Sequence, residues 1–373
     1  MALYALGSNG SGQLGISHKE DVSVPKPASF DPAPSDLSIA KIAAGGNHTL
    51  VLLESGELYW SGDPGSGACG LTSGIADAAE SSIFRPVKLA DDRAAETFRS
   101  KKICNIAASW EASFIVTEDC QGKNQVYSFG SGQKGELGLG KLPVEVLRTP
   151  SATLIPEFPP EGCKVVDIAA CMAHAVVVLE NGDVYGWGNG RKGQLGEPSE
   201  IVQFPRKIAA PGLDFKITKA ICGREFTCLI SPADKGKIAV FGSDKWGIKT
   251  LAPKSITGWK DVQAGWSALY LLQSDGTLTS WGRDDHGQMV PPNLLKVLQM
   301  AIGSEHAVCL TEDGEAVCWG WGEHGNCGPS AENDVKGRWN VIASEKYVPS
   351  DLKIAYVGAG CATSWVNIRL ATP

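Results

Sequence analysis

Three histidines, His48, His174 and His306, occupy one equivalent position in a phrase that recurs along this chain. Imidazole titrates near neutrality and serves as acid, base or metal ligand, so a recurring histidine is a first candidate for chemistry. Catalysis would need these rings beside one another or beside a nucleophile. Their spacing puts each in a different repeat, so the expectation is structural: each bonds backbone groups at a turn. Other chemical motifs fail on context. Gly7-Ser8-Asn9-Gly10-Ser11-Gly12 has the glycine density of a dinucleotide loop, but no βαβ unit follows. No Gly-x-Ser-x-Gly, His-Glu-x-x-His or Gly-x-x-x-x-Gly-Lys sequence occurs. The eleven cysteines are scattered without a Cys-x-x-Cys pair, which argues against a zinc site or a disulfide framework. The expectation is a chain without catalytic residues, cofactor or metal.

Binding chemistry is better represented. Trp110 and Trp266 follow the recurring Ile-Ala-Ala-Gly phrase, with Glu111, Arg224, Glu225 and Glu305 beside or equivalent to them. Trp321 fills a slot held in the other repeats by Ser8, Asp63, Ser131, Asn189, Ser243 and Arg283. Polar residues there predict solvent exposure, and an exposed indole is a common binding anchor. Trp110, Trp266 and Trp321 are therefore the expected apolar anchors of a partner site. Glu111, Arg224, Glu225, Glu305, Glu323 and His324 form its expected polar rim. The opposing expectation is that the loop tryptophans fold over a channel mouth and pack internally.

These residues are positioned by a repeat. An apolar run ends in a lead glycine at Gly7, Gly62, Gly130, Gly188, Gly242, Gly282 and Gly320, separated by 55, 68, 58, 54, 40 and 38 residues. Periods near fifty mark stacked supersecondary units. Short β-branched and aromatic runs alternate with turns such as Ser55-Gly56, Asn181-Gly182, Asp275-Gly276 and Asp313-Gly314, so the units are all-β. The Pro-rich stretches 23–37 and 143–160 read as loops. Phe129, Trp187, Phe241, Trp281 and Trp319, just before the lead glycines, read as core between units. The chain starts with a glycine phrase lacking its partner and ends with Val357-Gly358-Ala359-Gly360, a partner lacking its glycine phrase. Joined, they complete a seventh unit: a single domain, a seven-bladed β-propeller closed by its N- and C-terminal strands in one blade. Strand parity then puts both recurring loops of every blade on one face.

Bulk properties narrow the partners. With 34 Lys and Arg against 41 Asp and Glu, the formal charge is −7, which argues against direct nucleic-acid binding. No run of 18 apolar residues is present, so no membrane span is expected. The N-terminus enters the first repeat at once, so no signal peptide is expected, and the cysteine usage leads us to expect a reducing compartment.

The alternation of Ile-Ala-Ala-Gly-x-x-His-Thr with aromatic-Gly-x-x-x-x-Gly-Gln-Leu-Gly resembles the repeat of the chromosome-condensation regulator family, the RCC1-like propellers. The resemblance covers essentially the whole chain, although Trp246-Gly247-Ile248-Lys249 and Gly287-Gln288-Met289-Val290 depart from the pattern. Within the family the chain is similar to the fungal α-tubulin-suppressor and killer-toxin-insensitivity group. Gly45-Gly46-Asn47-His48 and the run Trp319-Gly320-Trp321-Gly322-Glu323-His324-Gly325-Asn326-Cys327-Gly328 carry that likeness. It implies a non-enzymatic subunit in a heterodimer with a small zinc- or iron-binding protein of the CSL type. It also implies support of diphthamide synthesis on elongation factor 2, and of Elongator-dependent tRNA wobble-uridine modification, in the cytoplasm and also the nucleus. The alternative implied is a guanine-nucleotide exchange factor or adaptor; a light sensor would need a denser indole array.

Overall fold

Each repeat folds into an antiparallel sheet whose second strand is an apolar run sealed between neighbouring sheets; His48–Leu53, His174–Leu179 and His306–Thr311 are buried along their whole length. The computed structural model describes residues 1–72, 80–90, 98, 100–140, 147–209 and 213–371. The inserts at 71–103 and 139–165 are thus described only in part, with 73–79, 91–97, 99 and 141–146 lying outside the described residues.

Seven sheets are present, and their first strands line a central channel. In blade order these are Ile39–Ala44, Lys102–Ala108, Val165–Cys171, Lys219–Cys222, Trp259–Ala264, Val297–Ile302 and Leu352–Ala359. Each packs against the next, and the seventh packs against the first, so the ring closes. The seventh blade joins both ends of the chain, as expected. Ala2–Gly7 pairs antiparallel with Thr363–Leu370, with Leu3 opposite Asn367 and Gly7 opposite Thr363. Pairing the two termini within one blade leaves only the short edges of the individual blades unpaired.

The hairpin turns behave as expected. Gly56, for example, adopts φ 92°, a conformation that L side chains rarely take. The Pro-rich stretches, however, are not simply loops. Val22–Pro27 is the outer strand of the seventh blade and Arg148–Leu154 that of the second. Proline fits an outer strand because one side of that strand has no ladder to maintain. The fourth and fifth blades have three strands among the described residues. These are the blades followed by the short glycine spacings of 40 and 38 residues, which leave little chain for a fourth strand.

Candidate functional site

The lead glycines hold the two recurring loops of each blade together. A Cβ on Gly62 would lie 2.3 Å from the Asn47 carbonyl oxygen, and one on Gly130 would lie 2.3 Å from that of Glu111. The amide after each lead glycine donates to the same carbonyl. Asp63 donates to Asn47 at 2.8 Å, Ser131 to Glu111 at 2.9 Å, Ser243 to Glu225 at 2.9 Å and Trp321 to Glu305 at 2.9 Å. Both loops therefore share a face in every blade, and Glu111, Glu225 and Glu305 sit on the stitches that join them.

A second set of amide bonds runs around the channel mouth. Gly46 donates to Trp110, Trp110 to Met172, Arg224 to Trp266, Trp266 to Ser304 and Ser304 to Gly360, over 2.8–3.0 Å. This girdle fixes the backbones of Trp110 and Trp266, and their indoles meet over the mouth with centroids 5.9 Å apart and planes tilted by 50°. The Trp110 ring also lies over Gly46, where a Cβ would come within 2.6 Å of it. The opposing expectation thus holds in part: the two indoles cap the mouth and pack on each other. Yet Trp110 remains 37% exposed and Trp266 half-buried. The Arg224 guanidinium stacks 5.6 Å from the Trp266 centroid.

Trp321 belongs to a separate cluster. Its indole N–H donates to Glu323 at 3.2 Å, and His324 packs edge-on at 5.3 Å. His324 in turn contacts Asp21 at 2.7 Å. Trp321 is half-buried rather than fully exposed, because Glu323, His324 and, from the fifth blade, His286 pack around its indole. Glu305 departs further from the expected exposed rim. It is 6% exposed and is held by Arg283 Nη1 at 2.8 Å and Gln288 Nε2 at 2.8 Å. An arginine in the fifth blade's loop can reach this carboxylate, and burial is tolerable because the charge is paired. Glu111, Arg224 and Glu323 are exposed, and Glu225 is half-exposed.

The histidines do not bond backbone at their own turns. Each reaches the next blade: His48 Nε2 lies 2.9 Å from Ser113 Oγ, His174 Nε2 3.1 Å from Thr227 Oγ1, and His306 Nε2 3.0 Å from Ser364 Oγ. Ser113 and Ser364 donate onward to the carbonyls of Ala68 and Asn326, which makes the imidazole Nε2–H the donor in both latches. Burial pulls all three histidines down to about 4. The tryptophans before the lead glycines are inter-blade core, as expected. Trp187, Trp281 and Trp319 donate backward to the carbonyls of Glu136, Ile248 and Gln288.

One ring of residues escaped the sequence reading. Lys41, Asp167, Lys219, Asp261, Gln299 and Tyr356 line a channel cavity of about 370 Å³, and Asn105 holds the equivalent position in the second blade. All precede the Ile-Ala-Ala phrase or its equivalent, and a polar residue in every copy was the missed signal. The strand pairing shifts register just before six of them, as at a β-bulge. They zip blade to blade. Lys41 donates to Asn105 at 2.9 Å, Lys219 pairs with Asp261, and Tyr356 OH accepts from Ile42 N at 3.0 Å. Burial lowers Lys41 and raises Tyr356 to about 12. Among the described residues no cluster of three His, Cys, Asp or Glu side chains could hold a metal ion. No helix among them is long and apolar enough to cross a membrane.

A closed seven-blade ring with glycine-stitched loops defines a seven-bladed β-propeller. The chain belongs to the RCC1-like domain family, matching it over residues 2–366. It is 31% identical to an RCC1 repeat-containing protein of Schizosaccharomyces pombe, over 98% of this chain and 99% of that one. It is 27% identical to a mouse secretion-regulating guanine nucleotide exchange factor, over 99% of this chain and 84% of that one. The crystal structure of Prp20p from Saccharomyces cerevisiae shares the fold, with a TM-score of 0.79 at 20% identity, over 100% of this chain and 92% of that one.

Proposed function

We propose that this propeller is a non-catalytic binding subunit whose loop face seats a small zinc- or iron-binding protein of the CSL type. Through that heterodimer it supports diphthamide synthesis on elongation factor 2 and Elongator-dependent wobble-uridine modification. The observation that carries the reading is the Trp110–Trp266 pair. Two large indoles are held by a backbone girdle at the centre of the loop face and still retain exposed surface. Preorganised aromatic surface ringed by Glu111, Arg224 and Glu225 has the anatomy of a binding hot spot, because little freedom is lost on docking. The Trp321 cluster with Glu323 and His324 extends the face outward. Glu305 contributes by holding Arg283 rather than by touching the partner. Calorimetric titration with a recombinant CSL-type protein tests the reading. Saturable one-to-one heat is expected, and its absence overturns the assignment.

A second reading, guanine-nucleotide exchange, is favoured by the likeness to the mouse exchange factor. It predicts accelerated release of labelled GDP from a Ran-type GTPase by catalytic amounts of this chain; the binding-subunit reading predicts no acceleration.

A further inference from the structure

We infer that the groove between the fourth and fifth blades binds a carboxylate-bearing peptide segment of a partner protein. The inference rests on the loop face being a protein-binding surface and names the chemistry of one part of it. The groove is a cavity of about 270 Å³ whose walls include Arg224, Lys245, Trp246, Trp266 and Arg283, with Glu225 at its side. It lies between the two blades that have three strands.

Its cations are held by indoles. Arg224 lies 5.6 Å from the Trp266 centroid, while Lys245 and Arg283 lie 5.3 and 5.5 Å from that of Trp246. Arg283 is already paired with Glu305 and Asp285. Among the described residues, Arg224 and Lys245 have no carboxylate within ion-pair distance. A cation resting on an aromatic face keeps its charge and loses part of its freedom in advance, which favours capture of an anion. Trp246 also has φ 68°, a strained conformation for a bulky side chain, and it is 41% exposed. Backbone strain that displays an indole with Lys245 resting on it is what a binding site retains.

Carboxylate chemistry is favoured over nucleic acid for two reasons. The ring faces that bases would stack on are occupied by Arg224, Lys245 and Arg283. Two unpaired cations on a chain of charge −7 neutralise too few phosphates for backbone binding. Acidic side chains on an extended segment suit two separated point charges, and the leucines between them would meet the edges of the indoles.

The test uses fluorescence polarisation with a fluorescein-labelled peptide of alternating Glu and Leu, and the same peptide with Gln for Glu. The Glu peptide should bind about tenfold more tightly than the Gln peptide, with an affinity that falls as salt rises. The double variant Arg224→Gln/Lys245→Gln, melting as the wild type does, should lose about tenfold for the Glu peptide only. Equal binding of the two peptides, no binding of either, or unchanged affinity in the double variant overturns the inference. So does preferential binding of a labelled oligouridylate. The two readings fail separately. A chain that takes the Glu peptide selectively but gives no heat with the CSL-type protein loses only the proposed partner. One that binds that protein without peptide selectivity loses only the groove.

Discussion

His306 Nε2 lies 3.0 Å from Ser364 Oγ, and the contact crosses from the sixth blade to the blade that closes the ring. Ser364 in turn donates a hydrogen bond to the Asn326 carbonyl at 2.8 Å, so a neutral histidine, a hydroxyl and a backbone carbonyl form one chain across the seam. His48–Ser113 and His174–Thr227 bridge two other joints. The recurring histidine is thus a latch between blades.

Cutting the seam latch should destabilise without unfolding. His306→Ala and Ser364→Ala should each cost about 1–3 kcal/mol, because each leaves a buried polar partner unsatisfied. The double variant should cost less than the sum, by about 1 kcal/mol. Denaturant melts of the four proteins measure the coupling, and strict additivity would show that the contact does not act as a unit.

Acid should open the latches. The three histidines are held at about 4 by burial, against an ordinary value of 6.5, so the unfolded chain binds more protons than the folded one between those pH values. Their stability contribution is complete above pH 6.5 and is lost as pH falls toward 4. Each adds up to about 1.4 kcal/mol of loss per pH unit in that window. Melts between pH 7 and 4.5 should show the decline. His306→Gln should flatten it by roughly one histidine's share, whereas an unchanged slope would contradict the buried neutral ring.

The loop stitches predict a contrast between glycines. Gly62→Ala places a Cβ 2.3 Å from the Asn47 carbonyl at φ 118°, and should cost about 2 kcal/mol or more. Gly10→Ala meets nothing within 4 Å and should be close to neutral. Thermal melts of the two variants make the comparison.

Partner affinity should report the geometry of the face. Trp110→Ala or Trp266→Ala should weaken CSL-type binding by about 2 kcal/mol, roughly 30-fold. Combining them should cost less than the sum, since each indole supports the other at 5.9 Å. Glu111→Gln should change the association rate and its salt dependence more than the dissociation rate. Calorimetry and stopped-flow mixing check both, and full affinity in the two tryptophan variants would place the interface elsewhere.

Along the chain, the residues alone determined the number of blades, the closing of the last one, and the face that carries the loops. Those features follow from local rules: glycine where a carbonyl leaves no room for Cβ, turns that need positive φ, and strand parity that sends every second loop to the same side. Lateral relations were beyond such rules. Trp110 and Trp266 meet only because the ring brings the second and fifth blades together across the channel mouth. Glu305 resembled Glu111 in the repeat, yet it is buried because Arg283 from the neighbouring blade reaches it. The histidines looked like turn residues until the adjacent blade supplied a hydroxyl. A repeat encodes the direction of each side chain within its own blade. The partner that side chain finds is set by closure, which places residues far apart in sequence within hydrogen-bonding reach.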